Sequence, residues 1–333
     1  MLNIKFLPAF NGDCILITTN KFNILIDGGT QKTYSLSLKK ALKEVNQLDL
    51  VILTHIDSDH IMGLIELFKY NKTVVKKVWF NSLSELSQLF DGRYNKQIEY
   101  STNDKRKDIS PKQGESLEDI LRKSNIEYEL IYIEKQQKYI FQDLEIILLS
   151  PYKENLKALY LYWKDNIKKR KDLESEGLSS QTNQSSIAFI LIYKKEKKYL
   201  FLADANINII SNSIKKLYPN RLKVEFVKVS HHGSKNNTNQ KFLDVIDSDK
   251  FIILTNGQAK NYHPDKEALN TIILDAKQRN KKVDILFNYP KKTYRKTYFQ
   301  SKELEGDSSF TLIFPKDINS RLVYTDIKGF ENG

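Results

Sequence analysis

The run Leu48-Asp49-Leu50-Val51-Ile52-Leu53 restricts the fold more than any other segment. It is short and nearly continuous in apolar residues. It breaks at Thr54-His55-Ile56-Asp57-Ser58-Asp59-His60, after which Ile61 to Phe68 has helical spacing. A strand apolar on both faces belongs inside a sheet covered by helices, the usual setting of parallel strands. The polar segment then lies at the carboxyl end of that strand, in the crevice where open α/β sheets place ligands.

The rest of the chain fits an α/β reading. Met1 to Pro8 predicts a first strand, Cys14 to Thr18 and Asn23 to Ile26 two strands with a tight connection, and Thr33 to Val45 a helix. Val74 to Phe80 reads as a strand followed by a polar helical region, and the stretch from Tyr94 to Gly114 reads as loop. Ile126 to Ile133 and Leu144 to Leu149 return to strand pattern. From Leu156 to Gln184 the chain is densely charged, with Lys164, Lys168, Lys169, Arg170 and Lys171, and predicts an exposed helix running into a loop: an insertion beside the site, or a connector between two halves. The second half predicts strands at Ser186–Tyr193, Tyr199–Ala203, Val224–Val229, Phe251–Thr255, Val283–Phe287 and near Phe310–Phe314, with helices at Ile207–Leu217 and Pro264–Lys277. Asp204 follows one of these strands and His231 another.

The single cysteine, Cys14, excludes an internal disulfide and any thiolate-cluster metal site. Any metal must be held by His, Asp, Glu or Asn. The amino-terminal residues carry no long apolar stretch of the signal-peptide kind, and no run approaches the roughly 20 apolar residues that cross a bilayer, so the expectation is a cytoplasmic protein with no membrane partner. A net charge of +12 favours phosphate-rich partners.

All five histidines fall into three clusters: His55 and His60, His231 and His232, and His263. Neutral imidazoles and carboxylates bind borderline and hard divalent cations. Residues 55, 57 and 59 share one side of an extended segment, and the coming helix turns His60 toward them, so two cations could be shared among these side chains.

Asn11-Gly12-Asp13, Ile26-Asp27-Gly28-Gly29, Thr54 to Gly63, Leu202-Ala203-Asp204 and Ser230 to Ser234 follow in order the motifs of the metallo-β-lactamase superfamily, which the chain resembles over roughly residues 1 to 290. Within it the chain is most similar to the metallo-hydrolase domain of ComEC-type DNA-uptake proteins and their free-standing relatives. That branch has aspartate where the usual His-x-His-x-Asp-His has its second histidine, as Asp57 stands here, and carries a His-His-Gly-Ser and a late His-Pro. The resemblance implies an αβ/βα four-layer sandwich, with two mixed sheets flanked by helices. It implies a single domain over 1–333 with insertions near 92–115 and 153–184, and a site at one edge between the sheets. It also implies that His55 and Asp57 hold a first metal, Asp59 and His60 a second, and that Asp204 bridges them. His232 completes the second set, with His231 as the other candidate. Asp27 is expected to buttress the first loop through backbone hydrogen bonds beside the Gly28-Gly29 turn.

No histidine lies between His60 and His231, so the third imidazole that many members give to the first metal is missing. An oxygen-richer set shifts preference toward Mn2+, with Zn2+ also compatible. Two such cations generate a hydroxide from water near neutral pH and stabilise charge on a phosphoryl centre, which makes a hydrolase. Asp59 is expected to orient the hydroxide, and whichever of His231 and His232 is not a ligand to contact a phosphate oxygen or protonate a leaving group. His263 is aimed at the same crevice. Ser234, Lys235 and Asn256 are candidate phosphate contacts.

Fold alone does not choose the bond cut. The basic excess, the motif set and the run Lys291-Lys292-Thr293-Tyr294-Arg295-Lys296-Thr297-Tyr298, which interleaves cations with rings that stack on bases, favour phosphodiesters and a nuclease acting on DNA. The Lys164 to Lys171 cluster is expected to support substrate affinity. The alternatives are a small-molecule phosphodiesterase, for a cyclic nucleotide or a phosphocholine ester, and a catalytically weak component of a bacterial defence or DNA-uptake assembly with a protein partner.

Overall fold

Leu50–Ile52 runs parallel between Asn23–Ile26 and Lys77–Trp79, and all three of its residues are buried. Its alternation assigns them to different cores: Leu50 and Ile52 join one cluster and Val51 another, as period-two geometry requires. The computed structural model describes residues 1–70, 74–92, 110–169, 178–258, 263–294, 308–318 and 321–332.

Two eight-stranded sheets carry the fold. The first runs Gly329–Asn332, Leu322–Thr325, Asn3–Phe6, Ile15–Thr18, Asn23–Ile26, Leu50–Ile52, Lys77–Trp79, Glu127–Glu129. The second runs Phe310–Ile313, Val283–Phe287, Lys250–Ile253, Phe226–Lys228, Lys197–Phe201, Ala188–Tyr193, Leu144–Ser150, Lys138–Phe141. Each is parallel on one side and antiparallel on the other, and so mixed.

Three apolar clusters define the layers. Between the sheets, Ile4, Phe6, Ile24 and Ile52 meet Phe189, Phe201, Phe226 and Ile252, with Phe6 edge-on to Phe226 at 5.6 Å between ring centres. Behind the first sheet, Leu25, Val51 and Val78 pack on Leu38, Leu64, Leu121 and Leu159 from helices. Behind the second, Leu200, Val227 and Ile285 pack on Ile210, Ile214 and Ile272. The result is the helix, sheet, sheet, helix sandwich that the resemblance implies.

Four segments depart from expectation. The helical path from Gln31 to Glu44 contains a π turn at Tyr34–Leu38 and ends in a 3-10 turn. A helix at Ser110–Lys123 begins inside the stretch read as loop, and its Gly114 fits under Trp163, where a Cβ would lie 2.6 Å from the indole; residues 93–109 lie outside the described chain. The segment read as an exposed helix and loop holds two helices, Lys153–Lys169 and Leu178–Gln184. The first presents Leu156, Leu159, Tyr160 and Trp163 as a buried stripe, and Thr182 on the second is fully buried. Finally, the hairpin Leu322–Thr325 and Gly329–Asn332 extends the first sheet beside Asn3–Phe6, a pairing across most of the chain that no local pattern signals. Among the described residues no helix is long and apolar enough to cross a membrane.

Candidate metal centre

The strand Leu50–Ile52 ends where Asp27, fully buried at the end of the neighbouring strand, takes hold of it. Asp27 Oδ1 accepts from Thr54 N at 2.8 Å and Oδ2 from Thr54 Oγ1 at 2.7 Å. The same Oδ2 lies 2.7 Å from His60 Nδ1. Because the Thr54 hydroxyl gives its proton to Asp27, its oxygen accepts from His55 Nδ1, 3.0 Å away. On the second sheet, His232 Nδ1 donates to the carbonyl of Leu254 at 2.8 Å. These three partners fix one tautomer: Nδ1 carries the proton and Nε2 is left as a lone pair.

Those three Nε2 atoms converge on Asp204. His60 Nε2 is 3.7 Å from Asp204 Oδ1; His55, His232 and His231 Nε2 lie 3.9, 3.6 and 3.7 Å from Oδ2. Asp57 Oδ2 is 3.7 Å from His55 Nε2 and Asp59 Oδ2 is 3.8 Å from His232 Nε2. None of these separations is a hydrogen bond. They are the spacing of atoms around a shared cation, since bonds of about 2.0–2.2 Å set ligand atoms roughly 3–4 Å apart. His55 Nε2, His60 Nε2, His232 Nε2 and Asp204 Oδ1 are all buried with no hydrogen-bond partner, an arrangement that is costly unless something completes it. His55, His60 and Asp204 form one cluster with metal-ligand spacing, and Asp59, His60 and His232 another. The residues present therefore fit divalent cations; His60 belongs to both clusters, and Asp204 of the first also lies 3.6 Å from His232 of the second.

Burial works to lower the His60 imidazole, but the carboxylates of Asp204, Asp27 and Asp59 hold it well above its usual range, so with no cation present its ring favours a second proton. Burial, reinforced by the charge of His60, holds the His55 imidazole well below its usual range. Burial also works to raise the Asp204 carboxyl, but the surrounding imidazoles, led by His232, hold it well below the ordinary value. Asp57, whose side chain keeps 23 % exposure, is pushed up to about 7 by burial and then by the Asp59 carboxylate. Without a cation, a proton on His60 offsets part of the charge of Asp204, the place a divalent cation would take.

The floor and mouth of the crevice differ. His55 and His60 are the buried floor, while Asp57, Asp59 and His231 keep 23 %, 25 % and 24 % side-chain exposure. His263 stacks edge-on to His231 at 5.2 Å between ring centres, with Nδ1 3.5 Å from Asp265 Oδ2; burial, then His231 and His232, push it down to about 4. Ser234 accepts from Asn236 N and Asn256 Oδ1 accepts from Gln258 N, so both cap turns within their own loops. The backbone of Lys235 is tied to Asp265.

One expectation about polymer contacts needs correction. Tyr294 is buried, its hydroxyl donating to Thr255 O at 2.5 Å and its ring packed on Phe287, so it does not offer a face to a base; residues 295–298 lie outside the described chain. Lys164 keeps 39 % side-chain exposure and makes a surface ion pair with Asp91 at 2.7 Å, a weak contact that leaves it accessible. The side chains of Lys168 to Lys171 are likewise outside the described chain.

Sequence reasoning passed over several supporting residues. Asn11 Nδ2 donates to Asp59 Oδ2 at 2.8 Å. The Thr182 side chain is hydrogen-bonded to Asp57, which brings the inserted helix Leu178–Gln184 to the site. Lys228, 1 % exposed, pairs with Asp13 behind His232. Each contact joins residues far apart in sequence and leaves no local signature.

Residues 7–116 match the family model described as the metallo-β-lactamase superfamily. Among solved structures, the chain is similar to a diphosphatase from the PhnP family (11 % identity, 99 % of this chain and 100 % of that chain covered, TM-score 0.44). It is also similar to Igni18, a metallo hydrolase from the archaeon Ignicoccus hospitalis (13 %, 98 % and 99 %, 0.44). A third is CmlA, a diiron β-hydroxylase from Streptomyces venezuelae (12 %, 84 % and 51 %, 0.45). The superfamily match thus covers residues 7–116, and the two facing mixed sheets flanked by helices are the layered sandwich of the metallo-β-lactamase fold.

Proposed function

We propose that this protein is a metal-dependent hydrolase that cleaves phosphodiester bonds, with DNA as its substrate. The observation that carries the reading is the set of three buried imidazole Nε2 atoms, on His55, His60 and His232, facing the carboxylate of Asp204, whose Oδ1 has no hydrogen-bond partner. In this reading His55 and Asp57 hold one cation, Asp59, His60 and His232 hold the other, and Asp204 bridges them. When bound, divalent cations supply Lewis acidity, lowering the pKa of a water and offsetting charge on phosphoryl oxygens.

The protein's own groups do the rest. Asp59, steadied by Asn11, orients the water toward phosphorus from the crevice mouth. The water loses one proton to solvent at the crevice mouth, its oxygen bonds to phosphorus as the ester P–O bond breaks, and the departing oxygen takes up a proton. His231 lies at the mouth 3.7 Å from Asp204 and stacked on His263; its Nε2 is positioned to donate that proton. The buried floor excludes bulk water from the side opposite the substrate.

Phosphate is favoured over lactam or thioester by the net charge of +12 and by the ComEC-like motif order with Asp57 in place of an imidazole. A second reading, hydrolysis of a small phosphodiester, gains weight from the burial of Tyr294, which removes one contact a polymer would use. Purified protein with Mn2+ should cleave labelled single- or double-stranded DNA and lose that activity on chelation. Turnover of bis-p-nitrophenyl phosphate without any cleavage of DNA would select the small-substrate reading, and inertness toward both would overturn the phosphodiesterase assignment.

A further inference from the structure

The motif Asn11-Gly12-Asp13 supplies no metal ligand in the reading above, and the buried pair of Asp13 with Lys228 takes no part in the proposed hydrolysis. Yet all three motif residues act on one half of the site. Asn11 Nδ2 holds Asp59 Oδ2 at 2.8 Å. Gly12 backs so closely onto Asp59 that a Cβ there would lie 1.6 Å from its carbonyl oxygen. Asp13, 1 % exposed, pairs through Oδ2 with Lys228, while its Oδ1 has no hydrogen-bond partner and lies 3.5 Å from His232 Nδ1. From that side its negative charge favours the tautomer in which Nδ1 keeps the proton and Nε2 faces Asp59.

Lys228 extends the contact across the sandwich. Its Nζ donates to Ala203 O at 3.2 Å, and the same carbonyl accepts from His231 N at 2.9 Å. Ala203, His231 and His232 have φ of 46°, 48° and 55°, left-handed backbone that non-glycine residues hold only when their surroundings force it. A buried cation bound to the carbonyl just before Asp204 is such a constraint. The motif on the first sheet is thereby connected to His232 and to the backbone that delivers Asp204 on the second.

We propose that Asn11-Gly12-Asp13 together with Lys228 is a positioning clamp for the second cation: it fixes Asp59 and His232, which come from opposite sheets, at the separation one cation requires. The inference rests on the metal reading of the site. It concerns how the ligands are set, so the groups of the clamp are positioning residues.

The test is titration of metal-free protein with Co2+, followed by visible absorption and by metal content after gel filtration, on wild type, Asn11→Ala and the charge-neutral double variant Asp13→Asn/Lys228→Met. The double variant avoids leaving one buried charge alone, and Asn11→Ala leaves that pair intact, so one substitution that fails to fold does not remove the test. Both variants should unfold cooperatively and take up the first cobalt as wild type does. Affinity for the second should fall about 10–100-fold, with an altered visible spectrum. Folded variants that bind the second cobalt with wild-type affinity and spectrum would overturn the clamp while leaving the metal reading intact. Wild-type protein that takes up no second cobalt would overturn the metal reading, and the clamp with it.

Discussion

The loop that carries His55 to His60 on the first sheet is held by close backbone packing. Gly63 sits so near Gly28 that a Cβ on it would lie 1.8 Å from the Gly28 carbonyl oxygen, and Gly28 N donates to His60 O at 2.8 Å. Asp27 then pins Thr54 and His60 with one carboxylate. On the second sheet, Asp204, His231 and His232 are delivered by loops in which Ala203 and both histidines have left-handed backbone, stabilised by a buried lysine. The first half, though Asp27 is itself left-handed, is held chiefly by backbone-to-backbone packing; the second concentrates three left-handed residues around a buried lysine. The first half therefore tolerates no added atom, whereas the second should tolerate relief of strain but not loss of its cation.

The carboxylates proposed as ligands should give the largest effect. Asp204→Ala, and separately Asp57→Ala, each remove a carboxylate from the cluster, and metal-dependent hydrolysis should fall at least about 100-fold, corresponding to the several kcal/mol that metal charge stabilisation supplies. Steady-state rates at saturating Mn2+ check this, and full activity in either variant breaks the assignment. Next, Gly63→Ala drives a Cβ into backbone and should destabilise by about 3 kcal/mol or more, read as a lowered midpoint in denaturant unfolding. A wild-type midpoint would show that the helix Ser58–Tyr70 is not locked to the Gly28 turn. The smallest effect belongs to the strained half: Ala203→Gly should leave stability within about 1 kcal/mol of wild type, because glycine adopts positive φ freely while adding unfolded-state entropy. A loss as large as that of Gly63→Ala would erase the distinction between the halves.

Much of this site was legible in the sequence because its ligands cluster locally at strand ends. His55 to His60 follow an apolar run, and Asp204 and His231 follow two others, so the sandwich that brings strand ends together also brings the ligands together. The choice between His231 and His232 was not legible. It depends on consecutive left-handed residues that turn the His232 ring inward onto Leu254 O and leave His231 at the mouth. Asn11, Thr182 and Lys228 act through contacts with residues 48, 125 and 25 positions away, and no periodicity encodes such pairings. Tyr294 reads as a surface aromatic among lysines, but its ring fills a gap over Phe287 and Gly257, a case of tertiary packing overriding local composition. The terminal hairpin beside Asn3–Phe6 escaped for the same reason.

The central claim is that Asp204 bridges two cations held from both sheets. The direct measurement is anomalous scattering at the Mn or Zn absorption edge from crystals of the protein soaked in that metal. The account predicts two peaks flanking Asp204, one against His55 and Asp57 and the other against Asp59, His60 and His232. A single peak away from Asp204, or none in the crevice at saturating metal, would contradict it.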